Sequence, residues 1–365
     1  MSKPKIIFII NSIQQQRCIK RINEFLDNGY EIEAYGFNRS SVVPTQPERF
    51  SIHVLDTFDA SVGYVERMVR MLRVLRPLFR RYKEQNAVYY YFLLDVAIAC
   101  RILCKRPYIY EESDLMQTEI RNGLVCRLLN TMDRHIIRHS LLTVQTSEGF
   151  GQYLFGSRVP PQLITVPNKL NADVLNLPYT PHPVDVRHLR FAFVGDARYG
   201  STLRFAQAVA EHFPQYSFHF YGLIQHREEE VKALCDRYAN VLYHGPFANP
   251  KDLPSVYSQI DILVSTYDIA VDNVKYAEPN KLYEACYFEV PIVVTSGTYL
   301  SQKVDRWGIG YAIDGGSDAA IQSFIQNLTP ASLAVKQEAC HAIPKEQLIN
   351  NNPQLYKLLA EKLKY

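Results

Sequence analysis

Short apolar runs alternate with amphipathic stretches along nearly the whole chain. Runs such as KIIFII, AVYYYFL and LLTVQT have the length and the β-branched or aromatic content of buried strands. Between the runs, apolar residues recur at helical spacing, as they do at Ile13, Ile19, Ile22 and Leu26 before Gly29. This alternation of strand and helix predicts a parallel sheet with helices on both faces.

The alternation occurs twice along the chain. Six apolar runs precede the proline-rich, aperiodic residues 171–189, and five more follow them, namely RFAFVG, SFHFYG, VLYHG, DILVST and PIVVT. We therefore predict two doubly wound α/β domains, residues 1–170 and 190–349, joined by a linker at 171–189, with a terminal helix at 350–365. Ligands of such sheets bind outside the carboxyl ends of the strands, so we expect the two domains to face a central cleft that holds the site.

Composition narrows the class of protein. The 365 residues include 40 basic and 37 acidic side chains, and a net charge of +3 gives no sign of nucleic-acid binding. The seven cysteines are scattered without a CxxC pair, which disfavours structural zinc and favours free thiols in a reducing compartment. No apolar run reaches about 18 residues, so we expect a cytoplasmic protein without a membrane span.

One segment, EPNKLYEACYFEVPIVVT at residues 278–295, has the features of a nucleotide site. Pro279 suits the first position of a helix, and the N–H groups of Asn280 and Lys281 then lie in the first turn, where the helix dipole and the lysine charge favour an anion. Glu284 lies on the same side one turn deeper, where a carboxylate can accept hydrogen bonds from a ribose diol. The alternative is a capped helix that carries a glutamate–lysine pair on its surface.

This segment resembles the nucleotide-sugar motif of GT-B glycosyltransferases, in particular the retaining family 4 enzymes of bacterial capsule and O-antigen synthesis. Other segments resemble further parts of that family in the same order along the chain: RCIKRINEFLDNGYEIEAYGF, YIYEESDL, LLTVQTSEGFGQYL, LITVPNKLN and FAFVGDARYG. The resemblance implies a GT-B architecture with an acceptor domain first, a nucleotide-sugar domain second and the terminal helix returning to the first.

The resemblance also implies a reaction, the transfer of a hexosyl group from a UDP- or GDP-linked sugar to a glycan or lipid-linked acceptor in cell-surface polysaccharide synthesis. It implies that Lys281 and Arg198 contact the donor phosphates, that Glu284 contacts the ribose and that Gly195 lets the backbone approach the donor closely. Glu278 matches the acid beside the motif, and the resemblance places it, with Pro279 and Asn280, among the donor-binding residues. Retention of configuration is implied, and neither a metal nor a cofactor is expected, because cations neutralise the leaving diphosphate.

Two positions depart from the family pattern. Tyr276 stands where a glutamate is common, and Ser113 stands where an acceptor-side histidine is expected. Candidate catalytic acids near Ser113 are Glu111, Glu112 and Asp114, although such a cluster is also typical of a solvated strand end. Ser147 could contact the acceptor or only cap a helix. A catalytically degenerate subunit that binds nucleotide or a partner, and a sugar-nucleotide epimerase, remain alternatives.

Residues 64–84, YVERMVRMLRVLRPLFRRYKE, predict an amphipathic basic helix. Its arginines recur every three to four residues between apolar side chains, which would suit the inner face of an anionic membrane where lipid-linked acceptors are found. The alternative is an ordinary domain helix whose arginines face solvent.

Overall fold

The computed structural model describes residues 3–39, 46–58 and 61–363. The chain divides into two compact units, Met1–Pro167 with Asn352–Tyr365, and Asn168–Asn351. The last two residues of the predicted terminal helix, 364 and 365, lie outside the described residues.

The first unit is built on a seven-stranded parallel sheet in the order β3-β2-β1-β4-β5-β6-β7. Its strands are β1 Lys5–Ile10, β2 Ile32–Asn38, β3 Ile52–Thr57, β4 Ala87–Phe92, β5 Tyr108–Glu112, β6 Leu142–Gln145 and β7 Leu163–Thr165. Its helices are α1 Gln16–Asp27, α2 Tyr64–Arg81, α3 Leu94–Leu103, α4 Gly123–His139, α5 Glu148–Phe155 and, from the chain end, α14 Pro353–Leu363. A 3₁₀ turn, Met116–Glu119, precedes α4.

The second unit is built on a six-stranded parallel sheet in the order β10-β9-β8-β11-β12-β13. Its strands are β8 Arg190–Val194, β9 Ser217–Tyr221, β10 Val241–Tyr243, β11 Ile262–Ser265, β12 Ile292–Thr295 and β13 Gly310–Ile313. Its helices are α6 Gly200–His212, α7 Glu228–Arg237, α8 Leu253–Tyr257, α9 Asp272–Tyr276, α10 Lys281–Tyr287, α11 Tyr299–Trp307, α12 Asp318–Gln326 and α13 Pro330–His341. Short 3₁₀ turns lie at Ala172–Asn176 and Lys345–Gln347.

The predicted fold class is confirmed, since each unit is a doubly wound α/β domain with an all-parallel sheet. In both sheets the strand order reverses beside the first strand of the unit, between β1 and β4 and between β8 and β11. At such a point the loops above the two strands run in opposite directions and leave a crevice at the carboxyl edge. The structure therefore gives one candidate crevice to each unit.

Residues 171–189, predicted to be a linker, are packed within the second unit. Val174 in the short 3₁₀ turn is fully buried, and the Tyr179 hydroxyl donates to the carbonyl oxygen of Phe288 at 2.7 Å. In the first unit, α14 places Leu355 and Leu359 in the core. The acceptor and donor roles assigned to the two domains stay predictions.

Candidate functional site

The predicted donor motif lies at the carboxyl edge of the second sheet, close to the loop that follows β8. Gly195 ends that strand with a φ of +132°, a conformation that L side chains rarely adopt, and a Cβ placed on it would lie 3.6 Å from Cε of Lys281. Gly222 ends β9 with a φ of +121°, and a Cβ there would lie only 2.8 Å from the carbonyl oxygen of Gly195. Gly222 thus permits a close packing of the two loops that a larger residue would prevent, and Gly195 supplies a backbone conformation beside Lys281 that other residues rarely adopt.

Helix α10 begins at Lys281, two residues later than the sequence predicts. Pro279 precedes the helix rather than occupying its first position, and its carbonyl oxygen accepts from Leu282 N–H at 3.2 Å in a tight turn. Asn280 is the N-cap residue, and its carbonyl oxygen accepts from the N–H groups of Tyr283 and Glu284. Helix ends commonly vary by one or two residues, and Asn280 already has helical dihedral angles, with φ of −56° and ψ of −23°.

Glu284 is the centre of a buried hydrogen-bond cluster. Its carboxylate accepts from Lys281 Nζ at 2.9 Å, from Asn280 Nδ2 at 2.5 Å and from the Tyr257 hydroxyl at 2.7 Å. The lysine and glutamate side chains are only 13% and 2% exposed, so this is not the surface pair of the alternative interpretation. Burial, followed by the charge of Glu284, raises the pKa of Tyr257 well above its usual value, which keeps this phenol a hydrogen-bond donor.

Glu278 has a different set of partners. Its side chain is fully buried, and its carboxylate accepts from Lys303 Nζ at 2.7 Å and from the Tyr283 hydroxyl. The Lys303 ammonium also lies 4.9 Å from the centre of the Trp307 ring. This network joins the turn before α10 to α11, so the structure gives Glu278 a role in fixing that turn.

Arg198 lies in the loop after β8, as predicted, and is 55% exposed. Its Nε donates to Asp196 at 3.0 Å, and Asp196 also accepts from Gln225 N–H at 2.9 Å and from His226 Nδ1 at 2.6 Å. These hydrogen bonds lower the pKa of Asp196, although burial acts to raise that pKa. Asp196 therefore holds together the loops that follow β8 and β9, and Arg198 extends from this anchored segment.

Two residues of this region carry no motif in the sequence. Tyr257 reaches Glu284 from the end of α8, and the Asp268 carboxylate accepts from the N–H groups of Gly200 and Ser201, at 2.8 and 3.0 Å, at the start of α6. An acid shortly after the predicted strand DILVST is the one signal that could have indicated Asp268.

The predicted catalytic acids lie in the first unit and do not form one cluster. Successive side chains of a strand point to opposite faces, so Glu111 and Glu112 at the end of β5 separate. Glu111 faces α1, where it accepts from Arg21 Nε at 3.0 Å and from the Tyr90 hydroxyl. It is completely buried.

Glu112 faces α4, where its carboxyl group lies beside that of Asp133, and Gln117 Nε2 donates to Asp133 at 2.9 Å. Burial is the main cause that raises the pKa of Glu112 well above its usual value, with the charge of Asp133 next. Burial likewise raises the pKa of Asp133 to about 6. Both shifts favour a proton held between the two carboxyl groups.

We expect Glu112→Gln to flatten the pH dependence of stability. A carboxyl whose folded pKa is raised stabilises the fold fully below its unfolded pKa, and this stabilisation is lost as pH rises through the folded pKa. Glutamine keeps a donor toward Asp133 without that proton, so the variant should gain stability relative to the parent between pH 5 and pH 8. Urea unfolding at both pH values measures the free energy of unfolding, and Glu119→Gln, at an exposed position, is the control. Parallel curves for parent and Glu112→Gln would contradict the shared proton.

Asp114, Ser113 and Ser147 complete the predicted residues of this unit. Asp114 has a side chain 36% exposed and pairs with Arg17 at 3.3 Å, so it is the predicted acid that reaches the open edge. Ser113 is buried, and its carbonyl oxygen accepts from Arg17 and from the Thr146 hydroxyl. Ser147 caps α5, its hydroxyl oxygen accepting from Gly149 N–H at 3.1 Å, which agrees with the capping interpretation.

Within the described ranges, no three or more His, Cys, Asp or Glu side chains are grouped so that they could hold a metal ion. The predicted independence from metals and cofactors stays a prediction. In the same ranges, no helix combines the length and the apolar character needed to cross a membrane.

The two parallel-sheet, Rossmann-like units and their order along the chain are those of the GT-B fold. Among solved structures, the chain is similar to sucrose-phosphate synthase from Thermosynechococcus elongatus, with a TM-score of 0.69 and 15% identity over 98% of this chain and 100% of that one. It is similar to Anabaena HepE in complex with UDP and glucose, with a TM-score of 0.68 and 14% identity over 99% and 100%. A glycosyltransferase from Rickettsia africae gives 0.66 and 12% over the full length of both chains.

A nucleotide-sugar epimerase also shares the architecture, with a lower TM-score. A proposed UDP-N-acetylglucosamine 2-epimerase from Listeria monocytogenes matches with a TM-score of 0.58 and 11% identity, over 99% of this chain and 96% of that one. No family model and no curated protein sequence matches the chain. The similarity is therefore one of fold, and the chain has a GT-B architecture.

Proposed function

We propose that this protein is a glycosyltransferase that uses a nucleotide-diphosphate sugar, with UDP or GDP as the nucleotide. The observation that carries the proposal is the buried Lys281–Glu284 pair set beside the positive-φ Gly195 at the carboxyl edge of the second sheet. An ammonium group at this edge suits a diphosphate, and a carboxylate one turn deeper suits a ribose diol. HepE, one of the structures with this fold, is known in complex with UDP and glucose, which favours UDP as the first nucleotide to test.

The chemistry assigned to the site needs few groups. Lys281, with Arg198 from the loop after β8, would neutralise the charge that develops on the leaving diphosphate, and no metal would be required. Glu284 would hold the ribose while Asn280 and Tyr257 hold its carboxylate in place. We further propose that the reaction is a retaining hexosyl transfer to a glycan or lipid-linked acceptor in cell-surface polysaccharide synthesis, which rests on the resemblance. We propose a cytoplasmic location on the basis of the composition.

A thermal-shift screen with UDP, GDP and their hexose derivatives tests the proposal, because a ligand at about 100 times its dissociation constant adds about 2.7 kcal/mol of stability. Release of free UDP or GDP from the nucleotide sugar that binds would support an enzyme. Binding without release would support the alternative of a degenerate subunit. Interconversion of two sugar epimers would support the epimerase, which shares the fold.

We also propose that α2 contacts an anionic membrane. Its inner face buries Met71, Leu75, Leu78 and Phe79, while Arg73, Arg76 and Arg80 are exposed. None of these three arginines pairs with an acid in the part of the chain that the structure describes. Arg70 is only 31% exposed and pairs with Asp56, so the basic surface of α2 is narrower than the sequence predicts.

We expect the protein to sediment with anionic liposomes and to be released by salt, because each basic residue near such a surface contributes about 1 kcal/mol through a screened interaction. Replacing Arg73, Arg76 and Arg80 by glutamate should abolish sedimentation. Reversal of Lys232 and Arg237 on α7, which are 60% and 70% exposed, is the control and should leave it unchanged. Equal sedimentation with neutral liposomes would refute the proposal.

A further inference from the structure

Two arginine side chains extend across the crevice of the first sheet, where the strand order reverses between β1 and β4. Arg39 follows β2, and its Nε donates to the carbonyl oxygen of Asn11 at 2.7 Å while Nη2 reaches Asp95, in the first turn of α3, at 3.0 Å. Its guanidinium group therefore passes over the end of β1. The second arginine approaches from the opposite side.

Arg17, in the first turn of α1, extends past the end of β4 to the end of β5. Its Nη1 donates to the carbonyl oxygen of Ser113 at 3.2 Å and to Asp114 at 3.3 Å. Both side chains of the Arg17–Asp114 pair are about one third exposed, at 29% and 36%. Such a pair is held weakly, so a stronger anion can replace Asp114.

A third arginine adds a positive charge to this group. Arg67, on the first turns of α2, lies 5.9 Å from the centre of the Tyr64 ring and makes no ion pair within the described residues. The pKa of Arg39 is lowered, mainly by burial. The charge of Asp95 acts to raise this pKa, and the charge of Arg67 acts to lower it. The charge of Arg67 is thus close enough to act on Arg39, and Asp95 and Arg67 both act on the neighbouring Tyr64.

Polar atoms around these arginines are buried without a hydrogen-bond partner in the structure. They are Nε of Arg17, Nε of Arg67, the Ser113 hydroxyl and Oδ1 of Asn11. Ser113 is only 3% exposed, so its hydroxyl has little contact with bulk water. Buried polar groups are normally paired, and three of these four can donate. An excess of donors beside an excess of positive charge is what a bound oxyanion would satisfy.

We propose that this arginine crevice, formed by Arg17, Arg39, Arg67 and Ser113, binds the phosphate group of a phosphate-ester acceptor. The fork of an arginine matches two oxygens of a phosphate, and three arginines with a hydroxyl supply donors for all of its free oxygens. The assignment rests on the proposed function in one respect, namely that the ester is the acceptor. The crevice lies wholly within the first unit, so phosphate binding itself does not depend on the donor site.

Isothermal titration with the full-length protein tests the proposal, using inorganic phosphate, glucose 6-phosphate and geranyl phosphate as probes. Saturating UDP is present so that the donor site is filled. We expect at least one ester to bind more tightly than inorganic phosphate, with the tighter ester showing whether the acceptor is a sugar or an isoprenoid phosphate. Arg67→Gln should weaken that ester at least tenfold, because it removes a charged hydrogen bond without leaving an acid unpaired.

Arg17→Gln provides a second variant, since its partner Asp114 is partly solvated and the fold should tolerate the change. The matched control is Arg158→Gln, which removes the same charge from an exposed position after α5, at the opposite edge of the sheet. It should leave ester affinity unchanged. The proposal is overturned if no ester binds to the parent, if inorganic phosphate binds as tightly as both esters, or if Arg67→Gln and Arg17→Gln bind like the parent. If UDP itself does not bind, the proposed donor function fails, and the same titrations without UDP still decide the crevice.

Discussion

Lys281→Ala is expected to weaken the binding of UDP by about tenfold to a hundredfold. The change removes one charge-assisted hydrogen bond to the diphosphate, which contributes about 1.5–3 kcal/mol. It also leaves the buried Glu284 with Asn280 and Tyr257 as its remaining donors, so some loss of stability accompanies the loss of affinity. Isothermal titration with UDP, below the melting temperature of the variant, measures the affinity separately from the stability.

Glu284→Gln separates the ribose contact from the phosphate contact. The amide still accepts a hydrogen bond but carries no charge, so the variant should bind UDP more weakly than the parent. Its affinity for the 2′,3′-dideoxy analogue of UDP should change far less, because that ligand has no diol. The ratio of the two affinities is the quantity of interest, since a general weakening of the site would lower both equally.

Glu278→Gln is the matched control for this ratio. Glu278 is as deeply buried as Glu284 and also accepts from a lysine, but its partners are Lys303 and Tyr283. The variant should lower the melting temperature and leave the ratio of UDP to dideoxy-UDP affinity unchanged. If Lys281→Ala and Glu284→Gln both bind and turn over donor like the parent, α10 is only a structural helix and the assigned donor site is wrong.

The sequence indicates the interior strands of both sheets because each is rich in apolar and aromatic residues. It also indicates the edge strands β7 and β10, but it misses the other two edge strands, β3 and β13. The sequence of β3, IHVLDT, includes polar residues, and most of its side chains are at least partly exposed. Strand β13 has only four residues and begins with a glycine. An edge strand packs on fewer neighbours, so its sequence can lack the apolar character that marks a strand buried on both faces.

The donor motif is local, and the sequence therefore brings Asn280, Lys281 and Glu284 together correctly. What it cannot supply are partners distant along the chain, such as Tyr257 for Glu284 and Asp268 for the start of α6. The separation of Glu111 from Glu112 is different, because the two-residue period of a strand already predicts opposite faces. Their partners, Arg21 and Asp133, again come from helices that only the tertiary fold places there.

Glu111→Gln is expected to destabilise the first unit by about 3–5 kcal/mol, the usual cost of removing one partner from a buried ion pair. The remaining Arg21 guanidinium would stay buried at 6% exposure, although its 2.6 Å contact with Glu24 should keep the loss near the lower end of that range. Glu24 in turn accepts from Asn352 and Tyr356, so the variant should also loosen α14. Urea unfolding at pH 7 measures the free energy, and amide exchange in α14 measures the loosening.

Asp114→Asn is the control for Glu111→Gln, because it breaks a partly exposed pair with Arg17 and should cost at most about 1 kcal/mol. The rate of sugar transfer should show the opposite order, with the larger loss in the Asp114 variant. Asp114 reaches the open carboxyl edge, so its loss should reduce transfer if an acid of this cluster takes part in the reaction. A Glu111→Gln variant that unfolds like the parent but no longer transfers sugar would assign catalysis to Glu111, and the structural role argued for its contact with Arg21 would be wrong.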